Sequence, residues 1–505
     1  MTVPHLTKGQ IEDKKDKKKC AFEELHKMQQ EEKLVPRKRD HVSNRISEFK
    51  TVEEEQQARI DATVEQVKVF RSQLPSLLIK LARIPDPRNP RKIKHKLTIL
   101  ILYGILTFIY QMSSRREANR EMTRPQFMEN LKFLFPELEG IPHNDTLKRL
   151  LERIDVTQIE TIHIDLVRRL IRNKKFSRYL VNRCYPIAID GTQKFTRNEI
   201  WSEECSGRTV GKGETAHYQY YVYILEASLV FHNGMIIPLM SEFLEYTKGD
   251  TSEAKEDCET KAFKRLATRL KNEFKRLNIM LLLDGLYPNG PIMEICLKNK
   301  WDFMIVLQDK SLSTVWEEFY GLQKLQTEQK TNMNWGNRRQ VFEWVNEIEY
   351  YYGANQKKHL TLHVVTCNEK WQEVDPETCE LITKTSRHAW ISSKPISEDN
   401  VHKRCNLLAR YRWGIEVNIL IEKRHGYQYE HCFSYNWTAM KGYHYLMRLA
   451  HFFNVLSEFS ERLATKIKKT GIRNFIYFIR NTLTGPWLHQ DIERLIMAPC
   501  QLRLL

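Results

Sequence analysis

The chain lacks the short motifs that mark several large enzyme classes. It has no GxxxxGK[ST] phosphate loop, no HExxH zinc pair, no GxSxG nucleophile turn and no CxxC pair. P-loop nucleotide hydrolysis, zincin proteolysis, serine-hydrolase chemistry and paired-cysteine zinc or redox sites therefore have no sequence support. The ten cysteines (Cys20, Cys184, Cys205, Cys258, Cys296, Cys367, Cys379, Cys405, Cys432 and Cys500) are scattered, several of them inside apolar runs. That is the pattern of buried free thiols, and it points to a reducing, cytoplasmic compartment. The opening MTVPHLTKGQIEDKKDKKKC contains no hydrophobic segment, so no secretory signal is expected. The apolar run LTILILYGILTFIY covers only Leu97–Tyr110, short of the roughly 20 residues that span a bilayer, and is expected to be a buried core helix. No internal repeat is found.

What is present is a folded, wet and basic composition. Hydrophobic residues make up 41% of the 505 and charged residues 28%, which fits a soluble chain of two to four domains. Lys and Arg number 80 against 63 Asp and Glu, a formal net charge of +17. Such an excess suits a polyanion, because Lys and Arg displace counterions from nucleic-acid phosphates; solubility alone also favours net charge.

Five stretches differ in character. Residues 1–60 are highly charged, poor in aromatics and carry KKDKKK at 14–19, so this segment is expected to be mobile, or helical only when bound. Residues 61–180 read as a basic, all-helical DNA-binding domain. Ile60, Val64 and Val67 recur at helical spacing, three prolines interrupt at 85–92, and further helices fall at 130–135 and 145–155, the last with Asp145 or Thr146 as N-cap. From Tyr185 the pattern becomes that of a mixed α/β sheet. YPIAID, HYQYYVYILEASLVF and MIIPLMSEFLEY read as strands, the last two joined at His232–Gly234 by a tight turn. A polar helical segment at 251–278 precedes the buried strand IMLLLD, then a helix at 291–300 and a strand at 301–309. Residues 310–395 alternate in short runs and read as a β-rich insertion, after which helical periodicity returns near Asp399. The catalytic domain is thus expected at 181–309 and 396–480, with a tail at 481–505.

Three carboxylates stand out in this order: Asp190 closing YPIAID, Asp284 closing IMLLLD, and Glu416 in RYRWGIEVNILIEKRHGY. Breaking a DNA phosphodiester needs an activated oxygen nucleophile and relief of charge on the leaving 3′-oxygen. Two Mg²⁺ ions about 3.5–4 Å apart supply both, and hard cations take carboxylate oxygens. Both aspartates precede glycine and are expected to project where the chain leaves its strand for a turn. Singly, each has an ordinary reading, as turn former or as half of a surface ion pair. Their order, two strands and then a helix, is what favours a shared metal site. Glu242, Glu245 and Asp309 are the competing acids. Arg412 and Lys423 flank Glu416 at i−4 and i+7 and would bind phosphate, Arg by its fork and Lys as a point charge; an Arg412–Glu416 pair supporting the helix is equally compatible. Trp335, Trp344, Trp371 and Trp390 fit hairpin cores as well as base stacking.

These residues resemble the DDE transposases of bacterial insertion sequences, in particular a subgroup related to H-repeat-associated proteins. The family's Y-(2)-R-(3)-E-(6)-K signature is matched by Arg412, Glu416 and Lys423, while Ala409 stands at the tyrosine position and Tyr411 lies two residues later. IPDPRNPRKIKHKL (84–97), IPHNDTLKRLL (141–151), AIDGTQ (188–193), LLDGLYPNGPIMEIC (282–296) and GYQYEHCF (426–433) are also similar, so the resemblance covers about residues 75–460. It implies a ribonuclease-H-like fold with a β-rich insertion between the second Asp and the Glu. It implies Asp190, Asp284 and Glu416 as catalytic Mg²⁺ ligands, with Mn²⁺ as substitute. Cleavage of double-stranded DNA at terminal inverted repeats would be followed by strand transfer into target DNA, without a covalent enzyme–DNA intermediate. It further implies a homodimer in the cytoplasm, associated with the nucleoid, and a tryptophan that holds a flipped base, for which Trp390, 26 residues before Glu416, is the candidate. A nuclease of the same fold that does not join strands, and a DNA-binding relic without catalysis, stay open.

Overall fold

The computed structural model describes residues 7–36, 46–245, 258–489, 492–498 and 500–505. The chain divides into two compact units: Met1–Asp40 with Met280–Arg410, and His41–Ile279 with Tyr411–Leu505. The first is β-rich, the second helix-rich. Parts of the expected mobile segment (1–6 and 37–45), of the expected helical segment at 251–278 (251–257) and of the tail (490–491 and 499) lie outside the described residues.

In the β-rich unit the charged N-terminal stretch forms a helix, α1 (Lys8–Glu31), started by a capping box between Thr7 and Gln10. Ala21, Leu25 and Gln29 recur every four residues, and this one face is buried. The lysine run at 14–19 is exposed.

The helix-rich unit begins with α2 (Val52–Arg71), which has three glutamates in its first turn and Lys68 and Arg71 in its last, matching the helix dipole. Next come α3 (Leu74–Leu81) and, after the prolines, α4 (Leu97–Ile109), in which every residue but Thr98 is buried. The apolar run is the core helix expected. A Cβ at Gly104 would come within 2.7 Å of Leu446 and 2.9 Å of Leu147, so glycine is what lets neighbouring helices close on α4. Then follow α5 (Arg115–Met122), α6 (Pro125–Leu134), α7 (Asn144–Leu151) and α8 (Thr157–Arg172). The N-cap of α7 is His143, not Asp145 or Thr146: its imidazole accepts from Asp145 N at 3.2 Å, which places Asn144 in the first turn.

The same unit contains β1 (Tyr185–Arg197), β2 (Ser206–Val210), β3 (His217–Val230), β4 (Ile236–Phe243) and α9 (Glu259–Glu273). β1 runs antiparallel to β3, whose other edge takes β2 and β4. The turn between β3 and β4 closes through Phe231 N to Met235 O at 2.9 Å, with Gly234 at φ +89°.

In the β-rich unit, β5 (Ile279–Leu283) is wholly buried from end to end. It leads through α10 (Gly290–Lys298) to the parallel strand β6 (Asp302–Val306). The inserted stretch holds a helix, α11 (Ser313–Gln323), besides the expected strands β7 (Lys330–Trp335), β8 (Arg338–Tyr352), β9 (Lys358–Val374) and β10 (Leu381–Ser392). Trp316 fixes α11 by donating to Gln308 O at 3.0 Å, and the helix packs on β8. The strands pair in the order β5-β6-β10-β9-β8-β7, antiparallel after β6, and α1 packs on β9. The fold is therefore mixed α/β, with parallel and antiparallel pairing and many helices. After α12 (Glu398–Val401) the helix-rich unit resumes with α13 (Trp413–Arg424), α14 (Trp437–Glu458), α15 (Ala464–Thr470), α16 (Ile472–Thr484) and α17 (Glu493–Met497). Among the described residues, no helix is long and apolar enough to cross a membrane.

Candidate active site

Asp190 does not stand where β1 ends. The strand continues seven residues further, to Arg197, and Asp190 lies within it, half-buried and directly opposite Glu226 of β3. The Asp-Gly pair, which reads as a turn in isolation, is part of the β1–β3 ladder here, and Gly191 stands at a close approach: a Cβ there would collide with Tyr223 and Glu259. Directly opposed residues share a sheet face, so Asp190 and Glu226 project to the same side.

Glu226 is fully buried. Its carboxylate accepts from Ser241 Oγ at 2.6 Å and Tyr429 OH at 2.9 Å, with His444 Nε2 at 3.2 Å and Arg448 Nη2 at 3.3 Å. Burial pushes its carboxyl up, but the charges of Arg448 and His444 outweigh that and hold it well below the usual carboxylate range. The fully buried Glu422 of α13 accepts from Arg448 Nη1 at 3.0 and 3.1 Å, and His451 Nδ1 lies 2.6 Å away. Burial lowers the basicity of Lys194, four residues beyond Asp190, to about 8 while its ammonium donates to Tyr429 O at 2.7 Å. This network was not recognised in the sequence. Its only trace there is a lone Glu in YVYILEASLVF and a lone Arg in YLMRLAHFF.

Glu416 sits in the first turn of α13, the helix that packs on β1, β3 and β4. It pairs with Arg412 Nη2 at 2.8 Å, so the supporting ion pair weighed from the sequence is made. Arg412 is only 5% exposed, its guanidinium lies 4.9 Å from the Trp413 ring, and its Nε and Nη1 find no hydrogen-bond partner among the described residues. Lys423 donates to Gln193 O of β1 at 3.1 Å and lies 3.3 Å from Glu430. It ties α13 to the strand of Asp190.

Asp284 belongs to the β-rich unit and follows β5 directly. Its carboxylate accepts from Leu286 N at 2.9 Å, the bond of a turn former. The competing acids are held by cations: Glu242 by Arg265 and Arg269, Glu245 by Lys441, Asp309 by Arg387. Trp390, on β10, is 4% exposed, with its ring stacked 5.7 Å from His388 and 5.8 Å from the Arg410 guanidinium. Among the described residues, no group of three or more His, Cys, Asp and Glu side chains is arranged to hold a metal ion. By chemistry, the donor set of Asp190, Asp284 and Glu416 is all carboxylate and suits a hard divalent cation. Within the helix-rich unit two of the three come from a strand and from the helix packed on it.

Residues 78–167, less than half of the chain, match the family described as DDE_Tnp_1-associated. The matched stretch runs from within α3 into α8 and ends shortly before β1. No curated protein matches the chain.

Proposed function

We propose that the chain is a DDE transposase with a ribonuclease-H-like catalytic fold, cutting the ends of a DNA element and joining them to target DNA as a homodimer. The observation that carries this reading is the match of residues 78–167 to a DDE transposase-associated family, which indicates a DDE transposase-family protein. The helix bearing Arg412, Glu416 and Lys423 supports it, because it lies over the strand of Asp190. The net charge of +17 suits a DNA partner.

In this reading Asp190, Asp284 and Glu416 would hold Mg²⁺, which when bound supplies an acidified water and charge relief on the leaving 3′-oxygen. Arg412 holds Glu416 through Nη2, and its buried Nε and Nη1 find no hydrogen-bond partner among the described residues; in this reading its guanidinium would serve as the phosphate cation beside Glu416. Lys423 adds a point charge above β1. Opposite Asp190, Glu226 is committed to its own partners and stays a structural anion. Trp390, 4% exposed with His388 stacked on its ring, would take a flipped base only once its surroundings opened.

The test supplies precut element ends, a target plasmid and Mg²⁺ to the full chain. Joint molecules are the expected product. Cleavage of uncut ends with no joining of precut ones would reduce the reading to a nuclease, and neither activity would leave a DNA-binding relic.

A further inference from the structure

We propose that Arg448 is a positioning residue: it clamps the helix carrying Glu416 onto the strand pair carrying Asp190. Its catalytic consequence rests on the transposase reading, whereas the clamp itself does not.

Arg448 lies on α14 and is 2% exposed. Its Nη1 donates to both oxygens of Glu422, at 3.0 and 3.1 Å. Nη2 reaches Glu226 at 3.3 Å, Ala227 O at 3.3 Å and Ser228 Oγ at 3.5 Å. Glu226 stands opposite Asp190 in the β1–β3 pair. Glu422 is on α13, on the same helix as Glu416. A single planar group therefore joins the helix of Glu416 to the strand paired with that of Asp190, and a two-sided contact of this kind admits few geometries.

The rest of the α13 seam is thin. Its buried residues are Ile415, Asn418, Ile419 and Glu422, while Trp413, Val417 and Leu420 are exposed. Two apolar side chains do not fix a helix against sliding or rolling; a buried ion pair is weak evidence for stability, and fixing register is its best-attested use. Lys423 adds a second tie through Gln193 O, at the far end of the helix from Glu416. Other titratable groups near the guanidinium or its two carboxylates include His444, His451, His163, Lys194 and Glu160, with the Tyr429 hydroxyl.

The experiment places nitroxide labels at Val417 on α13 and Tyr218 on β3, which are 50% and 51% exposed. Attachment through an unnatural ketone amino acid leaves the native cysteines unlabelled, and pulsed electron resonance reads the distance. Two variants of the full chain are compared with the parent. Arg448→Lys keeps the charge but cannot bridge both carboxylates, and Glu422→Gln keeps the shape but removes one charge; the second covers the case in which the first fails to fold. The proposal expects a single narrow distance in the parent and a shifted or broadened one in the variants. It also expects the Mg²⁺ concentration for half-maximal end cleavage to rise about tenfold or more, with DNA affinity unchanged. A merely structural role lowers the melting temperature and moves neither readout. Unchanged distances in a folded variant, or shifted distances with an unchanged Mg²⁺ midpoint, overturn the proposal. Shifted distances in a chain whose parent form cuts no DNA support the clamp and defeat the transposase reading instead.

Discussion

Replacing Glu369 by Gln unpicks the most heavily committed carboxylate of the β-rich unit. Its side chain is fully buried on β9 and receives Arg338 on one oxygen and Arg410 on the other. Gln340 Nε2 adds a bond at 2.6 Å and Ser386 Oγ one at 3.2 Å, with His388 Nε2 at 3.5 Å. Gln340 accepts in turn from Asn406 at 2.7 Å, and Asn406 accepts from Arg410 Nε at 3.0 Å. In Glu369→Gln, two guanidinium groups remain in the interior without their anion, a loss of about 3–5 kcal/mol when one partner of a buried pair is removed. Urea unfolding followed by tryptophan fluorescence reads this locally, because Arg338 lies 4.0 Å from the Trp371 ring and Arg410 4.9 Å from Trp335. With an m-value of about 3 kcal/mol per M the midpoint falls by about 1 M or more. The pH dependence has a definite sign. Burial pushes the Glu369 carboxyl up, but hydrogen bonds from His388 and Gln340 and the charge of Arg410 hold it far below its ordinary value. A depressed carboxylate stabilises the fold above its unfolded pKa, and that stability is lost as pH falls toward the folded one. The gap between parent and variant is therefore full at neutral pH and narrows in acid. A stability within about 0.5 kcal/mol of the parent, or a gap that does not narrow, would refute this reasoning.

Two further outcomes follow from packing. Gly104→Ala should lower the melting temperature: the leucine methyls it meets, on Leu446 and Leu147, are fully buried with no room to turn aside, so overpacking falls in the upper part of about 1–3 kcal/mol, against the roughly 1 kcal/mol that alanine returns as a helix former; calorimetry showing a more stable variant would contradict the close approach. Leu25→Asp puts a carboxylate on the buried face of α1 and should release the helix, so that trypsin cuts its lysine run roughly tenfold faster, as a docking loss of about 1.4 kcal/mol or more requires. Unaltered protection of that run would mean the face is not what holds α1.

Much of the fold was legible because it depends on local pattern. The run at 97–109 is apolar all round and reads as a buried helix, and IMLLL, ahead of Asp284, reads as a wholly buried strand. Where the sequence misled, the deciding contact was distant. Asp190-Gly191 reads as a strand end by itself, yet both residues pair in register with Glu226 and Leu225 of β3, and the strand runs on to Arg197. The helix at Ser313–Gln323 is short and lies among alternating runs, and it is secured by Trp316 reaching Gln308 O. Within the site, the Arg412–Glu416 pair was visible as an i, i+4 spacing, and the structure makes it. Lys423 read as a phosphate cation from its spacing; that its ammonium also donates to the backbone of β1 depends on a distant strand and was not legible. Glu226, Glu422 and Arg448 could not be grouped beforehand, because a strand and two helices must pack before three isolated charges become one network.

The central claim is metal-dependent DNA cleavage through Asp190, and end cleavage by the parent chain and by Asp190→Asn tests it most directly. Supplied with DNA carrying the terminal repeats of the parent element, the parent chain should cut at those repeats in Mg²⁺ and stop when the metal is chelated. Asp190→Asn, with an unchanged melting profile and unchanged DNA affinity, should cut at least about a hundredfold more slowly, since lost transition-state charge stabilisation of about 2.7 kcal/mol has that effect. Cleavage by the folded variant at the parent rate would contradict the account.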